Sequence, residues 1–169
     1  MPEVTTEHQW LLKLVGDWDL RSECVMGPDQ PPSVMVGKQR TRALGSLWTL
    51  GEMEMPGPDG QTMPSLITLG FDPARGKFVG SFITSCMTFH WLYEGSLDAQ
   101  QRVLTLDAEG PSFSGDGTMV NYQDIIEVVD DDTYLFSSRL ASSIALSFLL
   151  RALFTFADFA SYLTSSSDF

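Results

Sequence analysis

The chain has 169 residues, 43% of them hydrophobic, which is enough for one domain with its own core and no need of disulfide staples. Its 22 acidic and 10 basic residues leave a formal charge of -12 at pH 7, and a surface of that sign repels nucleic-acid phosphates and anionic lipid headgroups. The only cysteines are Cys24 and Cys86, and Met1 to Glu7 has neither the basic start nor the apolar run of a signal peptide; the expectation is a cytoplasmic protein with reduced thiols.

Thr6 to Val15 reads as a helix. Thr5 or Thr6 caps it, and Trp10, Leu11, Leu14 and Val15 recur at helical spacing on one apolar face. His8 lies off that face and is expected at the surface. Gly16 then makes a corner into a strand in which Trp18, Leu20, Ser22, Cys24 and Met26 alternate with Asp17, Asp19, Arg21 and Glu23. Trp18 is expected to plug the floor of a small barrel that the helix lids.

Further strands follow at short spacing: Ser33 to Leu44, Leu47 to Met55, Met63 to Phe71, Lys77 to Ser85, Phe89 to Leu97, Arg102 to Ala108, Met119 to Val129 and Thr133 to Leu140. Breaker-rich turns separate them, such as Gly27-Pro28-Asp29-Gln30-Pro31-Pro32 and Asp72-Pro73-Ala74-Arg75-Gly76. Many short strands with Gly/Pro turns indicate an all-β barrel or sandwich, and the short connections suit an up-and-down meander.

Ala141 to Leu163 differs in character. It is apolar, has no Gly or Pro, and carries only Arg151 and Asp158 as charges. Ser147, Arg151, Thr155 and Asp158 fall at helical spacing, so an apolar helical tail is expected beyond a barrel of residues 1–140. The two charges penalise insertion into a bilayer. A tail packed on the barrel's open edge, or a homo-oligomer built through residues 141–163, is therefore expected ahead of a membrane partner.

Several stretches are similar to one family. They are Glu7-His8-Gln9-Trp10-Leu11 with Val15-Gly16-Asp17-Trp18, then Leu44-Gly45-Ser46-Leu47-Trp48 with Gly51-Glu52. The block from Thr68-Leu69-Gly70-Phe71-Asp72-Pro73 to Gly80 follows, then Leu92-Tyr93-Glu94-Gly95-Ser96-Leu97-Asp98 and Gly110-Pro111-Ser112-Phe113. Over about residues 5 to 140 the chain resembles the bacterial domain family of unknown function DUF1579. The resemblance implies a calycin-like barrel, related in shape to lipocalins and fatty-acid-binding proteins, and no established activity. Relatives continue after the ninth strand into one last strand; here the apolar segment replaces it, which leaves the barrel with an open edge.

Arg40 and Arg42 share one face of the second strand, where a guanidinium fork would hold a ligand carboxylate if that face were inward. The opposite face, Met35, Gly37, Gln39, Thr41 and Ala43, is the other candidate for the inside. Glu52 and Glu54 share a face of the third strand with Trp48, a pair that would serve as acid and base or hold a cation. Phe89, Trp91 and Tyr93 form an aromatic row. His90 lies on the other side of that strand and is the candidate for a haem or metal ligand, whereas two histidines cannot make a His-rich zinc site. No Gly-x-Ser-x-Gly elbow, phosphate loop or Cys-x-x-Cys is present.

The reading is an antiparallel β-barrel that binds a small, largely apolar molecule without catalysis and without a cofactor. Its site is assembled from Arg40, Arg42, Trp48, Glu52, Trp91 and Tyr93. Small inward candidates, Ser22, Cys24, Gly80 and Thr84, leave room for the ligand. The alternatives are a structural or interaction protein with a filled barrel, or an enzyme using acidic residues.

Overall fold

The computed structural model describes residues 2–24, 31–57, 59–142 and 150–157. A short helix α1 (Thr6–Leu11) runs into a 3-10 turn (Leu12–Leu14). The strands are β1 (Gly16–Cys24), β2 (Ser33–Leu44), β3 (Trp48–Pro56), β4 (Thr62–Asp72) and β5 (Lys77–Thr84), then β6 (Trp91–Leu97), β7 (Val103–Pro111), β8 (Met119–Asp130), β9 (Thr133–Leu140) and β10 (Leu150–Phe156). Each pairs antiparallel with its chain neighbour, and β10 pairs with β1, so the meander closes into a ten-stranded barrel with no free edge.

That closure corrects the reading of the tail. Leu150 to Phe156 is a strand, not part of a helix, and the open edge does not exist. Leu150, Ala152 and Phe154 turn inward, opposite Ser138, Phe136 and Tyr134 of β9, while Arg151, Leu153 and Thr155 turn outward. The polar spacing of four residues that suggested a helix is an even number, so Arg151 and Thr155 fall on one face of a strand equally well. Residues 143–149 and 158–169 lie outside the described residues.

The helix and its turn lid one end. Trp10, Leu11 and Leu14 are buried there, and Trp10 donates from Nε1 to the carbonyl of Gln101 at 2.8 Å. Trp18 lies beneath, 2% exposed, donating to the Leu14 carbonyl at 3.0 Å, with Tyr134 and Phe156 packed edge-on at 4.8 and 5.5 Å. Gly16 forms the corner at φ +155°; a Cβ there would come within 2.7 Å of the Phe156 ring, so the chain turns under the lid only with glycine.

His8 is buried at 3% exposure rather than at the surface. Its Nδ1 accepts from the Thr5 backbone N–H at 3.1 Å, which places the ring proton on Nε2, 3.1 Å from the Phe71 carbonyl at the end of β4. The residue expected to face water is the clasp between lid and wall.

Candidate functional site

Strand alternation sorts every described wall residue to the inside or the outside, and the ladder pairs keep the sorting consistent around the barrel. On β2 the inward set is Met35, Gly37, Gln39 and Thr41, which pair through β1 with Ser22, Leu20, Trp18 and Gly16. The expected small inward residues, Ser22, Cys24, Gly80 and Thr84, do line the interior.

Inward side chains are not equally buried along the axis. Next to the helix they are sealed: Leu69 on β4, Phe78 on β5, Leu104 and Leu106 on β7, Ile126 on β8 and Tyr134 on β9 are at most 4% exposed. Towards the opposite end Trp91 and Tyr93 on β6, Ala108 on β7 and Tyr122 on β8 stay buried, whereas the inward faces of β4, β5 and β9 open. Ile67, Ser65 and Met63 on β4, Gly80, Phe82 and Thr84 on β5, and Phe136, Ser138 and Leu140 on β9 all keep part of their surface accessible. The barrel is therefore packed at its floor and along β6–β8, and is accessible towards the mouth along β4, β5 and β9.

The floor contains a satisfied polar cluster. Gln39 donates from Nε2 to Thr41 Oγ1 at 2.9 Å and to the Tyr134 hydroxyl at 3.0 Å, while the Tyr134 ring stacks on Phe154 at 4.3 Å. Burial holds the Tyr134 phenol well above its usual pKa, with the Gln39 bond opposing in part.

The mouth half holds the chemistry. Asp124, in the middle of β8, points inward opposite Leu106 of β7 and Ser138 of β9. Tyr93 of β6 donates to its Oδ2 at 2.6 Å, and Ser138 is its in-register neighbour on β9. Desolvation raises the Asp124 pKa above the ordinary 3.8, against the pull of Ser138 and Tyr93. Desolvation, then the neighbouring carboxylate, pushes the Tyr93 phenol well above 10.0. Trp91 shares the Tyr93 face and is 7% exposed; its ring lies on Gly110, where a Cβ would come within 2.1 Å. Its buried indole N–H meets no acceptor among the described residues. Ser65 donates to Thr84 across β4 and β5 at 2.9 Å.

The sequence-derived site residues are not brought together. Trp91 and Tyr93 are inside, whereas Arg40, Arg42, Trp48 and Glu52 face outward. Arg40 donates to Asp17 at 2.9 Å on the outer wall, and Trp48, 40% exposed, lies over Gly70. The open alternative for β2 is thus decided in favour of Gln39 and Thr41. His90 is exposed just before β6, and Glu54 is exposed on β3. Among the described residues there is no group of three or more His, Cys, Asp or Glu able to hold a metal ion. No helix among them is long and apolar enough to cross a membrane. The residues missed are Asp124 and Ser138. The signal for Asp124 was its place between Tyr122 and Ile126 on the alternating apolar face of β8.

A closed antiparallel meander of ten strands, lidded at one end by a short helix, defines a calycin-like barrel. The chain belongs to the DUF1579 family, described as a protein of unknown function, whose family model matches residues 3–144. No curated protein matches it. Among solved structures it is similar to the crystal structure of Rv2717c from M. tuberculosis, with a TM-score of 0.64 and 15% identity over 92% of this chain and 100% of that one. At that identity the likeness shows the fold alone.

Proposed function

We propose that this barrel binds one small, largely apolar molecule in its mouth half, without catalysis. The observation that supports the reading is the change in packing along the axis. A barrel built only as a scaffold gains from filling its interior throughout, since empty or half-open lining forfeits dispersion contacts. Here the floor is filled by aromatic and branched residues, while the walls above it keep Met53, Met63, Ile67, Phe82 and Phe136 partly accessible. An apolar wall with a few convergent polar groups is the usual composition of a small-molecule site. Asp124, Tyr93 and Ser138 supply those groups. Among the described inward strand positions, Asp124 is accompanied by no second carboxylate and no histidine for acid–base work. The net charge of -12 supports a neutral or cationic partner over nucleic acid.

The test is native mass spectrometry of the protein purified from its own host, with displacement of an environment-sensitive apolar dye as the second measurement. A retained mass that leaves on denaturation, or saturable one-to-one dye uptake, is the expected result. Neither retained mass nor dye uptake by the folded protein overturns the reading and leaves a filled scaffold.

A further inference from the structure

The interior has a one-sided electrostatic composition. Around all ten strands, the described inward positions carry one carboxylic acid, Asp124, and no Lys, Arg or His. Among the described residues, the mouth segments 59–61, 85–90 and 112–118 contain no Lys or Arg; they include Asp59 and Asp116 and one histidine, His90. The arginines of β2 are on the outer wall.

A carboxylate in such a place is costly unless something compensates it. Asp124 accepts from Tyr93 on β6 and has two in-register neighbours, Ser138 on β9 and apolar Leu106 on β7. None of these is cationic. The residue is half-buried and its side chain is on the inner face of β8. A ligand carboxylate would meet like charge there. A neutral hydroxyl would supply one donor and leave the charge uncompensated. A protonated amine supplies donors and the missing charge together.

We propose that the ligand is an amphiphilic amine, its apolar body along the methionine and phenylalanine walls and its ammonium group on the Asp124 carboxylate beside Tyr93 and Ser138. This rests on the reading of the barrel as a binder. Asp59 and Asp116 in the described mouth segments favour the approach of a cation.

The experiment is calorimetry on the full chain with decylamine, decanol and decanoate, each below its micelle concentration, plus ethylamine to report adsorption to the acidic outer surface. Decylamine is expected to bind one-to-one, roughly tenfold or more tighter than decanol, the scale of one charge-assisted bond. Ethylamine and decanoate should give no saturable heat. Asp124→Asn should remove the preference of decylamine over decanol, with the outer charge almost unchanged. In the unmodified protein, acidification through the raised Asp124 titration should weaken decylamine and leave decanol unaffected, which keeps the test available if the variant does not fold.

Equal binding of the three ten-carbon probes, tightest binding of decanoate, or an amine preference that survives in Asp124→Asn overturns the amine assignment and leaves the binding barrel standing. Failure of all three to bind the folded protein removes both.

Discussion

The phenol of Tyr93 reaches across β7 to donate a 2.6 Å hydrogen bond to Oδ2 of Asp124, joining β6 to β8 inside the barrel. The span is open because the inward residue of β7 opposite Tyr122 is Ala108, a small side chain beside the path of the ring. One of the few polar contacts in the mouth half is therefore a long-range tie between strands that share no ladder. Replacing the phenol by Phe leaves the carboxylate with one donor fewer. Tyr93→Phe should cost about 1.5–3 kcal/mol at neutral pH, where the bond is charge-assisted, and about 0.5–1.5 kcal/mol once Asp124 is protonated. Urea unfolding at the two pH values measures both; an equal cost at both shows that the carboxylate is not the partner that matters.

Asp124 itself should make the protein less stable as pH rises. Its native pKa lies above the unfolded value of 3.8, so the native state holds more protons than the unfolded state between those two values. The contribution of this residue is greatest below 3.8 and is lost as pH climbs through the raised native value. Asp124→Asn, which keeps an acceptor for Tyr93, should be as stable as the parent in acid and more stable at neutral pH. Chemical denaturation of the pair from acidic to neutral pH checks the sign; a parent that gains on the variant with rising pH contradicts it.

How much of this was legible in the sequence depended on whether the deciding contact was local. The strands were, since period-two alternation and the Gly/Pro turns lie within each segment, and so was the burial of Trp18 next to the lid. The inner face of β2 was not. Both of its faces carry polar residues, and what puts Gln39 and Thr41 inside is Tyr134, 95 residues away from Gln39. His8 was misplaced for the same reason: its acceptor, the Phe71 carbonyl, is 63 residues distant. Asp124 sat on an alternating apolar face, where an acid reads as an interruption until Tyr93 and Ser138 are seen beside it.

His8→Ala should loosen the lid more than the barrel. It removes the bond to Phe71 and the edge contact with that ring at 5.7 Å, and leaves the carbonyl at the end of β4 without its partner. The expected loss is about 1–3 kcal/mol, concentrated in the lid. Hydrogen exchange should accelerate in Thr6–Leu14 while the β7–β8 ladder stays protected. Uniform acceleration across the barrel would mean that the helix is part of one cooperative unit with the walls.

Trp18→Ala should cost roughly 3–5 kcal/mol, the range of large aromatic truncations in cores. Trp18→Phe keeps the ring contacts with Tyr134 and Phe156 but loses the bond to Leu14, so about 1 kcal/mol of the loss should remain through the hydrogen bond alone. Urea unfolding separates the two. A loss in Trp18→Ala below about 1 kcal/mol would place the floor of the barrel elsewhere.

The closing strand carries the last expectation. β10 is laddered on both sides, to β1 from Trp18↔Phe156 to Cys24↔Leu150 and to β9 from Leu150↔Ser138 to Thr155↔Thr133. Ala152 and Phe154 are 4% and 2% exposed, so the strand also supplies core. A chain ending at Ser142 loses both contributions and uncovers the edges of β1 and β9, each a template for pairing with another chain. It should be less soluble than the full chain and should lose the sharp unfolding transition. Phe154→Ala tests the core part alone: the ladders remain, the stacked partner of Tyr134 goes, and the cost should be about 3–5 kcal/mol with solubility retained. If the shortened chain instead stays soluble and unfolds cooperatively at the parent's midpoint, β10 is dispensable and the barrel closes without it.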